Sequence, residues 1–180
     1  SGTYQGEIVL ALDNKGDMNG NGKVDYVMIV GDPENPDAQY RTEFSIKALT
    51  DAGVEVNKLV EQVGNWDQAK GQEIAAAALA QYGNDIDIIF CNNDGMALGA
   101  AAAIEAAGRT VGKDILLLGV DALAECQEMV QKGTMTGTVL NDHIGQSHAA
   151  VDAAIAALNG ETLQNYYWVN YVKVDAEYFK

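Results

Sequence analysis

A chain of 180 residues with 11 Lys+Arg against 26 Asp+Glu carries a formal net charge of -15. Such a surface repels phosphate backbones and anionic headgroups, which excludes nucleic acid and acidic membrane surfaces as partners and leaves neutral molecules and cations. The length suits one domain burying roughly 70% of its unfolded surface, so a core forms without help from a disulfide or a metal.

Along the chain, apolar runs alternate with helix-like segments. A short helix is expected over residues 4–12, then strands at 24–30, 55–63, 86–91, 115–120, 136–140 and 167–174. Helices are expected between them at 36–52, 67–82, 95–107, 122–131 and 146–158. Gly53, Gly83, Gly108, Gly133 and Gly160 each follow a helical segment, where a left-handed residue closes the last turn. Several strands are continuous apolar runs, as expected when helices cover both faces of a sheet. The fold class that follows is α/β, a doubly wound parallel sheet. The alanine-rich tracts at 75–80 and 100–107 favour helix and tight packing on that sheet.

In open α/β sheets, ligands bind beyond the carboxyl ends of the strands. The residues there are Asp32 to Arg41, Asn65-Trp66-Asp67, Asn92-Asn93-Asp94, Asp121 and Asn141-Asp142. Helix capping accounts for Asp67 and Asp94. It does not account for a Trp and an Arg in the same ring, which reads as a binding rim. Cys91 reads as a buried thiol and Cys126 as a helical residue; their spacing suits neither metal nor redox chemistry and leaves a disulfide between them open. His143 and His148 have no nucleophile or acid–base partner that would make a catalytic set.

The loop Asp17-Met18-Asn19-Gly20-Asn21-Gly22-Lys23-Val24-Asp25 matches the first nine positions of an EF-hand loop. Asp17, Asn19, Asn21 and Asp25 fall at positions 1, 3, 5 and 9, Gly22 at the sharp turn, and the Lys23 carbonyl at position 7. Calcium requires six to eight oxygens, and position 12 is Met28, so the closing carboxylate must come from elsewhere. The competing reading is an Asn/Gly-rich turn without metal.

With this loop set just before a parallel strand, the chain resembles the periplasmic glucose/galactose-binding proteins of the type 1 periplasmic binding protein superfamily. The stretches that carry the resemblance are the loop itself, Gly31-Asp32-Pro33, Pro36-Asp37-Ala38, Arg41-Thr42, Trp66-Asp67, Asn92-Asn93-Asp94 with Met96-Ala97, Gly119 to Leu123, and Gly137 to Asp142. It implies a Rossmann-like lobe whose partner lobe is absent. Residues 1–141 would form the C-terminal sugar-binding lobe. Residues 142–180 would form a crossover helix and returning strand belonging in part to the missing N-terminal lobe, and the start at Ser1-Gly2 reads as a lost native beginning. It also implies a calcium ion held by Asp17, Asn19, Asn21, the Lys23 carbonyl, Asp25 and Asp87. Asp87 stands where the family has a longer glutamate, and Asp25 where it usually has Gln. The implied sugar contacts are Asn35 (His in the family), Asp37, Arg41, Trp66, Asn93, Asp121 and Asn141. Planar Asp, Asn and Arg groups bind vicinal hydroxyls in pairs, and an indole packs on the apolar C–H face of a pyranose.

The implied function is non-enzymatic: capture of glucose or galactose in the periplasm or outside the cell, with tethering to the membrane if the parent is a lipoprotein. The implied partners are the membrane subunits of an ABC importer and a chemoreceptor. The alternative is the effector-sensing core of a lac-repressor-type transcription regulator, which predicts no calcium loop; a sugar-acting enzyme would need an acid–base pair that the rim lacks. The stripe Ala150, Val151, Ala154, Ile155 and Leu158 is expected to dock on its own lobe or to pair with a second copy in a dimer.

Overall fold

The computed structural model describes residues 1–180. Helix α1 (Gly2–Leu10) leads through the 17–25 loop into β1 (Val24–Val30), followed by α2 (Pro36–Asp51), β2 (Val56–Val63), α3 (Gln68–Tyr82) and β3 (Ile88–Cys91). Then come α4 (Asp94–Ala106), β4 (Leu116–Leu118), α5 (Ala124–Lys132), β5 (Thr138–Leu140), α6 (His143–Leu158) and β6 (Val172–Val174). Four strands form a parallel sheet in the order β2-β1-β3-β4.

All seven residues of β1 are buried because the sheet is covered twice. Val27 and Ile29 face a core built with Ile74 and Leu79 of α3 and Met96 and Ile104 of α4. Val24, Tyr26, Met28 and Val30 face the opposite core, with Ile8 and Val9 of α1 and Leu49 of α2. This period-two division explains the unbroken apolar run seen in the sequence. Helices α3 and α4 cross almost backbone to backbone: a Cβ on Gly71 would lie 2.5 Å from the Met96 carbonyl oxygen, and one on Gly99 2.0 Å from that of Gln68. The small residues thus bring both helix N-termini to the same end of the sheet.

The parallel arrangement stops short of the full set of expected strands. β5 and β6 make an antiparallel pair, joined to the end of β4 by a parallel bridge between Leu118 and Gly137 and by hydrogen bonds from the Thr136, Gly119 and Asp121 N–H groups to the Leu117, Gly137 and Val139 carbonyls. The strand expected at 167–174 shrinks to Val172–Val174, since Tyr167 and Trp168 find no ladder partner and remain exposed. Helix α6 buries no residue, and Ile144, Val151, Ile155 and Leu158 are all exposed. Cys91 and Cys126 are both buried free thiols.

Candidate functional site

The strand order reverses direction between β1 and β3, so the crevice beyond their carboxyl ends is the topological switch point where such sheets bind ligands. Two interactions lace this crevice. The Gly31 N–H donates to Asn92 Oδ1 at 3.0 Å, and Arg41 Nη1 donates to the Asn92 carbonyl at 2.8 Å. Asn92 is fully buried and also exchanges hydrogen bonds with the Thr42 hydroxyl. It is the residue that fixes α2 against the end of β3.

Arg41 is the hub. It is 4% exposed, and its guanidinium lies 3.6 Å from Asp37 Oδ2, 3.7 Å from Asp121 Oδ1 and 5.7 Å from the centroid of the Trp66 ring. Asn35 N-caps α2 by accepting from the Asp37 N–H at 2.8 Å, which aims Asp37 along the rim. Asn93 N-caps α4 by accepting from the Met96 N–H, and its amide donates to the Trp66 carbonyl at 3.3 Å. Of the seven residues expected to touch sugar, Asp37, Arg41, Trp66, Asn93 and Asp121 are joined by these contacts. Asn35 bonds only within its own turn, and Asn141 only to Gln146, 2.6 Å away.

The residues that shape this rim were less visible in the sequence. Gly31 seats the indole, since a Cβ there would lie 2.2–2.4 Å from three ring carbons of Trp66. Asp94 is no helix cap: Asn93 holds that position. Its buried carboxylate accepts from the Thr138 hydroxyl at 2.7 Å and the Leu123 N–H at 2.8 Å, while the Thr138 hydroxyl accepts from the Ala122 N–H at 3.3 Å. This clamp holds the turn in which Asp121 and Ala122 take φ of +119° and +56°. Thr138, a polar residue within a buried three-residue strand, was the one sequence signal for it.

Burial pushes the Asp121 carboxyl up to about 6; Arg41 opposes the rise, and the charges of Asp94 and Asp37 add to it. Burial also raises Asp94, against its own hydrogen bonds. Near neutral pH the rim therefore offers the acceptors Asp37 and Asp121, an Arg donor between them and an aromatic face. That set suits a polyol with an apolar side and holds no nucleophile–base pair. A concavity of about 560 Å³ lies elsewhere, lined by Leu98, Ile104 and Met129.

The 17–25 loop lies at the opposite end of β1 and gathers Asp17, Asn19, Asn21, Asp25 and Asp87, but its oxygens face N–H groups. Asp87 Oδ1 accepts from the Met18 and Asn19 N–H groups, both at 2.9 Å, and its Oδ2 from the Asp25 N–H at 2.8 Å. Asp25 accepts from the amides of Asn21 and Asn57 and lies 3.3 Å from the Lys23 ammonium. Three backbone hydrogen bonds occupy three of the roughly four lone-pair sites of Asp87, the carboxylate that the resemblance assigns to closing a calcium shell.

Residues 1–162 match the family described as periplasmic binding protein domain. The chain is 37% identical over 166 residues to the D-galactose/methyl-galactoside binding periplasmic protein of Haemophilus influenzae, covering 90% of this chain and 49% of that protein. It is 35% identical over 112 residues to the D-allose-binding periplasmic protein of Escherichia coli, covering 62% of this chain and 35% of that protein. A solute-binding protein of an ABC transporter from Bacillus halodurans, solved with bound myo-inositol, superposes with a TM-score of 0.84 at 28% identity. That superposition covers 98% of this chain and 57% of the other. The chain spans about half the length, or less, of the curated relatives it matches. With the family matched over residues 1–162 and a doubly wound lobe carrying a polar rim at its switch point, the chain belongs to the periplasmic binding protein domain family.

Proposed function

We propose that this chain supplies one wall of a binding site for a hexose of the glucose/galactose type, outside the cytoplasmic membrane, as the capture component of an ABC importer. A chemoreceptor is a further partner under this reading, and no chemistry is performed on the sugar. The observation that carries it is Arg41 fixed between Asp37 and Asp121 with its guanidinium against Trp66. Each carboxylate can accept from sugar hydroxyls while the guanidinium donates, and the indole remains half-buried, with part of its surface available for stacking. The ligands of these relatives, galactose, allose and myo-inositol, are all polyhydroxylated rings, which supports this class of ligand.

The test is a titration of the isotope-labelled chain with galactose, glucose, allose and myo-inositol, followed by amide and indole N–H resonances. Shifts at the Trp66 indole, Asn93 and Asp121, largest with galactose or glucose, are the expected outcome. Larger shifts with myo-inositol or allose would overturn the glucose/galactose assignment, and unmoved rim resonances with every sugar would overturn the site.

A further inference from the structure

We propose that the 17–25 loop is closed by its own N–H donors and by the Lys23 ammonium, so that it holds its shape without a calcium ion. The family resemblance leads to the opposite expectation, and three features of the loop argue against it.

The first is Asp87. It is wholly buried, and both its oxygens are engaged by the backbone of the loop it would otherwise help to fill with metal. Its side chain is one methylene shorter than a glutamate. Oδ1 already accepts two N–H groups and Oδ2 one, so closing an ion with both oxygens would require releasing the Met18 or Asn19 N–H in a place where water cannot replace the lost acceptor. Asp87 thus latches the loop to the start of β3.

The second is Asp25, which is 3% exposed. One oxygen accepts from the Asn57 amide of neighbouring β2, and the other from the Asn21 amide at 2.7 Å. Asn21 Oδ1 itself accepts from the Lys23 N–H at 3.1 Å, and Asn19 Oδ1 likewise from the Asn21 N–H at 3.0 Å. The Asn19 NH₂ then donates to the Asp85 carbonyl at 3.2 Å. Each asparagine oxygen thus has one lone pair on the loop backbone, and the Asn21 NH₂ places donor hydrogens against Asp25, where a cation would need oxygens. A metal held by Asp25 would have to displace the Asn21 amide from it.

The third is charge. Asp17, Asp25 and Asp87 are the carboxylates of the set, and the Lys23 ammonium lies 3.3 Å from Asp25 Oδ1, with its side chain 35% exposed. The loop thus carries its own cation. Asp17 completes the closure by accepting from the Gly20, Asn21 and Gly22 N–H groups.

The experiment is thermal unfolding of the chain in EDTA and again in excess calcium, beside the variant Asn21→Asp. A resident ion at a hundredfold excess over its Kd would raise Tm by roughly 5–10 °C in a domain of this size. The expected result for the unaltered chain is a shift of less than about 1 °C between the two conditions, well under that figure. Asn21→Asp replaces the amide donor to Asp25 with a second carboxylate. Its Tm is expected to fall in EDTA and to recover with calcium, because that variant alone lacks the internal donor. A Tm of the unaltered chain that drops with EDTA and returns with calcium would overturn the proposal. So would an Asn21→Asp variant as stable in EDTA as its parent, since the Asn21–Asp25 bond would then not be part of what closes the loop.

Discussion

Replacing Gly31 with alanine tests whether the rim depends on a seat cut for the Trp66 ring. The new Cβ would lie 2.2 Å from the nearest ring carbon, whereas ordinary contact begins at 3.4 Å, so the ring must withdraw by 3.4 − 2.2 = 1.2 Å. Retreat is restricted on three sides. Trp66 has φ of +67°, its carbonyl accepts from the Asn93 amide, and its ring faces the Arg41 guanidinium 5.7 Å from the centroid. Overpacking of this kind costs about 1–3 kcal/mol, or roughly 2–12 °C in Tm for a domain of this size. A ring displaced by about a third of its own width loses stacking worth roughly 0.5–1.5 kcal/mol, a two- to tenfold loss of galactose affinity. The assay is Trp fluorescence in a Trp168→Phe background, which leaves Trp66 as the only indole; Trp168 is 85% exposed and its loss should not disturb the fold. An unchanged Tm, emission maximum and galactose titration in Gly31→Ala would refute the reasoning.

For Asp121, a folded value of about 6 against an ordinary 3.8 means that the native state holds the proton more tightly. The stability it contributes is then fully present below about 3.8 and lost as pH rises through about 6; Asp121→Asn should flatten that part of a Tm–pH profile. Galactose affinity should move the other way, weakening as pH falls from 7 to 5, because only the ionised carboxylate is a full acceptor, and a flat titration would count against Asp121 as a sugar contact. Arg41→Met should lower stability in urea by about 1.5–3 kcal/mol, since it strips a charged donor from the buried Asn92 carbonyl; a neutral result would remove Arg41 as the hub. Asp94→Asn should cost about 1–3 kcal/mol and speed amide exchange at Ala122 and Leu123, and unchanged exchange there would show that the clamp does not hold the turn. If α6 docks on its own lobe or pairs with a second copy, the amides of 146–158 will exchange slowly, whereas fast exchange in a monomer by light scattering would refute both arrangements.

How much of this was legible in the sequence varied with the physics involved. The four strands of the parallel sheet and the helices around them were readable because burial on two faces writes continuous apolar runs and the helix ends carry glycines. The returning strand was overextended because Tyr167 and Trp168 have high β-propensity, and propensity says nothing about whether a ladder partner exists. At the rim, Asp37, Arg41, Trp66, Asn93 and Asp121 were legible as residue types that do not belong together for structural reasons alone. The capping role read for Asp94 belongs to its neighbour Asn93, while Asn92 laces β1 to α2 and Asp94 clamps the β4–α5 turn. Consecutive positions at a strand end point to different sides, and which side is occupied is settled by elements distant in sequence. The loop showed the same limit, because ligand spacing reports where oxygens fall along the chain and not which way an asparagine amide is turned.

Strain is placed where the rim needs it. Asn65 and Trp66 follow β2 with φ of +52° and +67°, and Asp121 and Ala122 follow β4 with φ of +119° and +56°. Non-glycine residues held in this region cost of order 1–3 kcal/mol each, and they persist only where their surroundings over-determine them. Here the surroundings are identifiable: the Asn93 amide bonds the Trp66 carbonyl, and Asp94 with Thr138 bonds the N–H groups of Ala122 and Leu123. Both supports come from the first two residues at the N-terminal boundary of α4, which the Gly71 and Gly99 contacts bring into place against α3. The Trp66 face and the Asp121 carboxylate are therefore positioned by the same helix end before a ligand arrives. A ligand meeting such a rim loses less free energy to ordering side chains than one that must organise them, at roughly 0.5–1.5 kcal/mol for each side chain immobilised. The strain is stored in the fold rather than drawn from binding.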